Sequence, residues 1–288
     1  MSEVNYWKIP LDKLPSRGTK YSKDTKIEFR CLTIRDLKYM AAMTESNARE
    51  IVDDILRRCL RLTDLRFEDI LEIDRLTLIF YLRSNTFMLS NSYQTEFKCP
   101  YCEAKVVKTL KPGDLAVRKM EDSVSGSVTI DGGCKVVHSA LKKITDPVYK
   151  TGDPDVDLIL AFTDIDKKIK SENLKDFILN LPADEFSKLL HLAERAKCGI
   201  LGYADLKCSK CFSDLRVGID LADSALFNRI HMSTMIRNRV QVSKYCGVDL
   251  DDDMPYNEVE MTISVVNELA EKEAESLNQK KNNPGVRR

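Results

Sequence analysis

Polar and apolar residues alternate over Lys26-Ile-Glu-Phe-Arg-Cys31, the period-two signature of a half-buried strand. Behind it, Thr33 and Asp36 are spaced as a capping pair for a helix reaching about Met43. Ser46 or Asn47 can cap the next helix, in which Ile51, Ile55, Leu56, Cys59 and Leu60 share one face. A third helix is predicted over residues 74–88, where Leu76, Ile79, Phe80, Leu82, Phe87 and Met88 make a largely apolar run. Three hairpins follow along the chain. Residues 93–97 pair with 105–110, residues 127–131 with 134–138 around Gly132-Gly133, and residues 202–206 with 214–219. Between the second and third hairpins, short helices are expected over 155–162 and 172–179. A stronger one starts at Pro182, buries Phe186, Leu189, Leu190 and Ala193, and ends near Lys197 ahead of Gly199. Leu226 and Phe227 add to the core. Two last helices, 233–245 and 257–277, flank the acidic run Asp249–Asp253, which reads as a solvated turn. The second of them turns Val259, Ile263, Val266 and Leu269 to one side and becomes polar after Ala274.

The first residues behave differently. Pro10, Pro15 and Gly18 discourage both helix and ladder, so an extended arm is expected, with Trp7, Ile9, Leu11, Leu14 and Tyr21 available to dock on something. The whole is an α+β chain. Its organisation reads as an arm (1–25), a body (26–230) with an inserted hairpin-plus-helices segment (111–201), a C-terminal helical region (231–277) and a mobile tail (278–288).

Composition narrows the class. The 288 residues carry 45 Lys+Arg and 45 Asp+Glu, a net charge of zero, so no global field draws the chain to nucleic acid. Nine cysteines, an odd number in a chain of this size, read as reduced thiols. The first residues lack the basic-then-apolar layout of a secretory signal, and no apolar run is long enough for a membrane span. A soluble protein made in a cytoplasm is expected.

Chemistry concentrates in two places, Lys98-Cys99-Pro100-Tyr101-Cys102 and Lys207-Cys208-Ser209-Lys210-Cys211. Each Cys-x-x-Cys sits at the tip of a predicted hairpin, in halves spanning 93–110 and 202–220. Facing each other, they offer four thiolates, the soft tetrahedral set that suits one structural Zn²⁺. The ligands would be Cys99, Cys102, Cys208 and Cys211: a zinc ribbon split by 105 residues, 103 through 207. Such a site carries two net negative charges, and Lys98, Lys105, Lys207 and Lys210 are placed to offset them. Cys31, Cys59, Cys134, Cys198 and Cys246 stand alone and read as core or surface thiols.

Two rival chemistries exist. Cys-Pro-Tyr-Cys resembles the active-site tetrapeptide of glutaredoxins, which would make Cys99 and Cys102 a thiol oxidoreductase pair. That family opens a helix at the second cysteine, whereas the valines after Cys102 favour a strand. A nucleic-acid-binding zinc-ribbon factor is the other rival, set against the neutral charge. His138, His191 and His231 have no ligand spacing, Asp53-Asp54 reads as helix surface, and no phosphate loop or nucleophile elbow is present. Binding or assembly rather than catalysis is the expectation.

The order of features resembles the baseplate hub assembly proteins of T-even-type contractile-tailed bacteriophages. The residues that carry the likeness are Leu14-Pro-Ser-Arg-Gly18 with Tyr21, Ile27-Glu-Phe-Arg30 with Leu32-Thr33, Tyr81-Leu-Arg83, Phe97-Lys-Cys-Pro-Tyr-Cys102, Leu181-Pro182, Cys208-Ser-Lys-Cys211 and Met254-Pro255. The resemblance implies a non-enzymatic protein that helps to build, or stays within, the central hub of a tail baseplate. Its partners would be other hub or tail proteins, or further copies of itself, met in the host cytoplasm during assembly and in the virion tail.

Overall fold

The structure, a computed structural model, describes residues 5–87, 93–110, 114–120, 126–169, 173–223, 232–247 and 249–282. The expected contributions of Met88, Glu172, Leu226, Phe227 and His231 lie outside them.

The chain begins with β1 (Trp7–Ile9), which pairs antiparallel with β2 (Lys26–Phe29) in the register Trp7↔Phe29 and Ile9↔Ile27. A ladder therefore forms just ahead of Pro10, where an extended arm was expected. After β2, Thr33 caps α1 (Ile34–Met40) with the reciprocal Thr33–Asp36 capping box. Helix α2 (Ala48–Cys59) runs directly into β3 (Leu60–Thr63), which completes the sheet in the order β1-β2-β3. Helix α3 (Glu72–Thr86) closes this first core, in which Ile9, Leu14, Ile27, Leu37, Ile55, Leu78 and Ile79 are fully buried.

The N-terminal segment is held by this core: Ile9 and Leu14 are buried in it and Leu11 and Tyr21 pack against it, while Trp7 stays exposed. The lock is polar. Ser16 donates its backbone N–H (2.9 Å) and its hydroxyl (2.6 Å) to Asp74, the Tyr21 hydroxyl donates to the same carboxylate at 2.6 Å, and the Leu71 N–H donates to the Tyr21 oxygen at 3.1 Å. Burial, reinforced by the Asp74 charge, raises the Tyr21 phenol far above its ordinary pKa, so it serves as a donor. Tyr21→Phe leaves the Asp74 oxygen and the Leu71 N–H each short of a partner. A loss of about 1–2 kcal/mol is expected in urea denaturation, and an unchanged midpoint would show the lock to be idle.

Hairpin β4 (Tyr93–Lys98) and β5 (Lys105–Leu110) comes next, followed by β6 (Leu115–Arg118). The segment beyond it builds a second core. There β7 (Ser127–Ile130) and β8 (Lys135–His138) pack on α4 (Pro154–Phe162), α5 (Ile165–Lys168), α6 (Leu174–Leu179) and α7 (Ala183–Ala196). Ile130, Val137, Ile159, Leu160, Ile178, Leu189 and Ala193 are its buried residues. Glu185, in the first turn of α7, accepts the backbone N–H groups of Asp131 and Gly132 at 2.7 and 3.1 Å and so fixes the hairpin turn to the helix.

The chain returns in β9 (Gly199–Lys207), which pairs on one side with β10 (Asp214–Gly218) and on the other with β6. Departing and returning strands are thus zipped together. Arg75 of α3, 2 % exposed, adds an ionic tie to the segment after β10 through bonds of 2.7 and 3.0 Å to Asp223. Its Nε also meets Asp53 at 2.6 Å. Asp53 is therefore part of a half-buried ion triad around the enclosed Arg75, not the solvated helix face expected of it, and Asp54 accepts the Tyr39 hydroxyl at 2.8 Å.

Finally α8 (Met232–Cys246) and α9 (Tyr256–Asn282) form a helical pair whose Val242, Leu250, Val259 and Val266 pack with Ile34 of α1. The acidic turn between them is clamped: Lys38 binds Asp252 at 2.7 Å, Arg35 binds Asp253 at 3.0 Å, and the Arg35 N–H donates to the Asp252 carbonyl at 2.8 Å. Helix α9 continues to Asn282, into the stretch expected to be tail.

Candidate metal centre

The tips of β4–β5 and β9–β10 are built alike. In the first, the Cys99 N–H donates to the Ala104 carbonyl at 2.9 Å and the Glu103 N–H donates to the Cys99 carbonyl at 2.9 Å. In the second, the Cys208 N–H donates to Ser213 at 3.0 Å and the Phe212 N–H to Cys208 at 3.1 Å. The residue after each second cysteine turns the chain with a left-handed backbone, φ 57° at Glu103 and 60° at Phe212. Neither is glycine, so each turn carries local strain of about 1 kcal/mol or more. That shared geometry curls each Cys-x-x-Cys so that both sulfurs point the same way.

The two tips face each other. Cys99 Sγ lies 3.7 Å from Cys211 Sγ, Cys102 Sγ lies 3.8 Å from Cys208 Sγ, and all four sulfurs fall within 4.8 Å of one another. These separations are far beyond the roughly 2.05 Å of a disulfide. They match the edge of a tetrahedron with metal–sulfur bonds of about 2.3 Å, which is about 3.8 Å. The four cysteines can therefore hold a metal ion, and among the described residues they are the one group of His, Cys, Asp or Glu side chains so disposed. Cys99 and Cys208 are fully buried with Val106 and Leu215, while Cys102 and Cys211 face outward.

Electrostatics fit the same role. The Ser213 hydroxyl, 3.3 Å from Cys211 Sγ, and the Ser213 backbone hold the Cys211 thiol down at about 6. Backbone N–H groups of Cys211 and Lys210, the latter 3.4 Å from the sulfur, lower the Cys208 thiol. At Cys102 a backbone bond at Ala104 favours the thiolate, yet desolvation and the three neighbouring sulfurs push it up to about 12. Sulfurs this crowded cannot all ionise without a cation among them. The lysines expected to offset the charge are mostly engaged elsewhere: Lys98 with Glu103 at 3.4 Å, Lys105 with Glu96 at 2.8 Å and Lys207 with Asp214 at 2.7 Å.

The remaining cysteines do not join the cluster. Burial pushes the Cys31 and Cys198 thiols up to about 11 and raises Cys59 further, while Cys134 and Cys246 are exposed. His191 is exposed beside Glu194 at 3.4 Å. After Cys102 the chain enters strand β5, so no helix N-terminus stands at that thiol. Sequence reasoning missed the supporting parts: the strained residues Glu103 and Phe212, which no glycine announces, and Ser213, whose role is visible only once the tip is folded.

No helix among the described residues is long and apolar enough to cross a membrane. Neither a curated protein nor a solved structure gives a significant match to the chain. A family model described as T4 bacteriophage base plate protein matches residues 7–223, from β1 past both cysteine pairs to the Asp223 that binds Arg75, and stops short of α8 and α9. With the match running through most of its length, the chain belongs to the T4 bacteriophage base plate protein family.

Proposed function

We propose that this protein is a non-enzymatic component or assembly factor of the central hub of a phage tail baseplate, working through protein–protein contacts on a body stapled by one structural Zn²⁺. Family membership implies a structural protein of the virion baseplate in contact with other baseplate proteins. The observation that supports the metal staple is the convergence of Cys99, Cys102, Cys208 and Cys211 from two distant hairpins into a set of tetrahedral size; the hub assignment rests on the sequence resemblance and on family membership. Bound there, Zn²⁺ would supply cross-linking and charge neutralisation. The residues around it do the rest: Val106 and Leu215 exclude water from the inner sulfurs, and the backbone turns at Glu103 and Phe212 aim them.

The reading divides the chain into an N-terminal segment (1–25), a body carrying both ribbon halves (26–230) and a C-terminal helical region (231–277). The test is affinity purification from infected cells with mass spectrometry, paired with metal analysis of the purified chain. The expected result is co-purification of central hub proteins and one equivalent of zinc. Recovery with peripheral baseplate proteins alone overturns the hub assignment, and a metal-free folded chain overturns the zinc.

A further inference from the structure

Beyond the region matched by the family, α9 carries a face that the described residues leave exposed. Its inner side, Val259, Ile263 and Val266, packs with Val242 and Leu250. Roughly 120° around the helix lies a second line of side chains. Met261, Val265 and Leu269 occupy it, 47, 55 and 47 % exposed. Glu258 and Lys272, both exposed, extend the line at its two ends. The line is symmetric about Val265: Met261 and Leu269 stand four positions to either side, and an acid and a base stand seven positions to either side.

We infer that this face pairs with the same face of a second copy of the chain, the two helices running antiparallel across a two-fold axis at Val265. Reversal of one helix sets Met261 against the partner's Leu269 and Glu258 against the partner's Lys272, and the symmetry makes each contact twice. Charge selects this arrangement, because a parallel pairing would set acid on acid and base on base. The contact line is about 20 Å long, from the helical rise of 1.5 Å per residue. It is short for an obligate interface, so the dimer forms reversibly with concentration. The inference stands on this helix alone and depends on neither the zinc nor the hub reading.

Sedimentation equilibrium of the full chain tests it. A monomer–dimer equilibrium is expected, weakening as salt is raised. Val265→Glu sets two carboxylates against each other on the axis and is expected to weaken self-association by about tenfold or more. Because Val265 is half exposed, the circular dichroism of the variant should be unchanged. Glu258→Lys and Lys272→Glu should each weaken the dimer, and the two combined should restore it, since the double exchange rebuilds the same pairs in reverse. Loss of the dimer in the single variants with recovery in the double separates this pairing from unspecific adhesion of apolar side chains. A chain that stays monomeric at every concentration, a dimer indifferent to Val265→Glu, or a double variant without recovery overturns the inference. So does a monomeric chain whose α9 face binds only a different protein.

Discussion

Cys208→Ser is expected to abolish metal binding at the four cysteines and to destabilise the protein severely, while Cys134→Ser leaves both properties unchanged. Cys208 has no exposed surface and sits among Cys99, Val106 and Leu215, so its sulfur is both a donor and part of the packing between the two tips. Serine offers a hydroxyl of ordinary acidity in place of a thiol that backbone N–H groups already lower. Structural zinc in a four-thiolate site contributes an apparent binding free energy on the order of 10–16 kcal/mol near neutral pH. A folded domain has a net stability of about 5–15 kcal/mol, so losing even part of that contribution is enough to unfold the region around the tips. Inductively coupled plasma mass spectrometry of purified variants, with thermal unfolding beside it, decides the matter. Equal metal content in Cys208→Ser and the parent would remove the four cysteines from consideration as a ligand set. Cys134, exposed on the β7–β8 turn, controls for the mere loss of a thiol.

Arg75→Met should cost about 3 kcal/mol or more, the cost typical of leaving buried charges without their partner. The guanidinium is almost wholly enclosed and divides its donors between Asp53 of α2 and Asp223 after β10. Methionine fills similar volume but leaves Asp223, 12 % exposed, without its cation and Asp53, 22 % exposed, with only the 3.8 Å contact to Arg49, the two carboxylates repelling each other across the space. For a chain of this size the expected drop in Tm is roughly 5–10 °C. Adding Asp53→Asn and Asp223→Asn to Arg75→Met should recover much of the loss, because the penalty lies in the orphaned charges and not in the missing pair. A triple variant no more stable than the single one would place the cost in packing instead.

Local signals carried a large part of this architecture. Thr33 and Asp36 sit three apart and make the capping box that their spacing implies, and the glycine pair at 132–133 turns the β7–β8 hairpin with positive φ at both positions. The four cysteines announced themselves because a metal needs repeated residue types at set intervals, and each pair lies in one turn. What stayed hidden is non-local. Nothing in Leu115–Arg118 says that it will pair with the distant β9, and Arg75 and Asp223 are separated by 148 positions. The N-terminal segment docks as expected, but its ladder with β2 and its place in the chain's own core were not legible, for a related reason. Its prolines speak only of local conformation, whereas its placement follows from Ile9 and Leu14 entering the core and from Asp74 gathering Ser16 and Tyr21. Asp53 was misplaced because a carboxylate on a helix reads as surface unless its cationic partner is known.

The two cysteine-bearing tips also differ in when they exist. Cys208 follows Cys102 by 106 positions, and a ribosome adding about 5–20 residues per second needs roughly 5–20 s to cover that distance. Throughout that interval the nascent chain carries the Cys99 and Cys102 thiols without the other two sulfurs that face them in the folded protein. Oxidants and competing soft ions reach this pair most easily during synthesis, so the redox state of the host at the moment of translation bears on how much of the protein matures correctly.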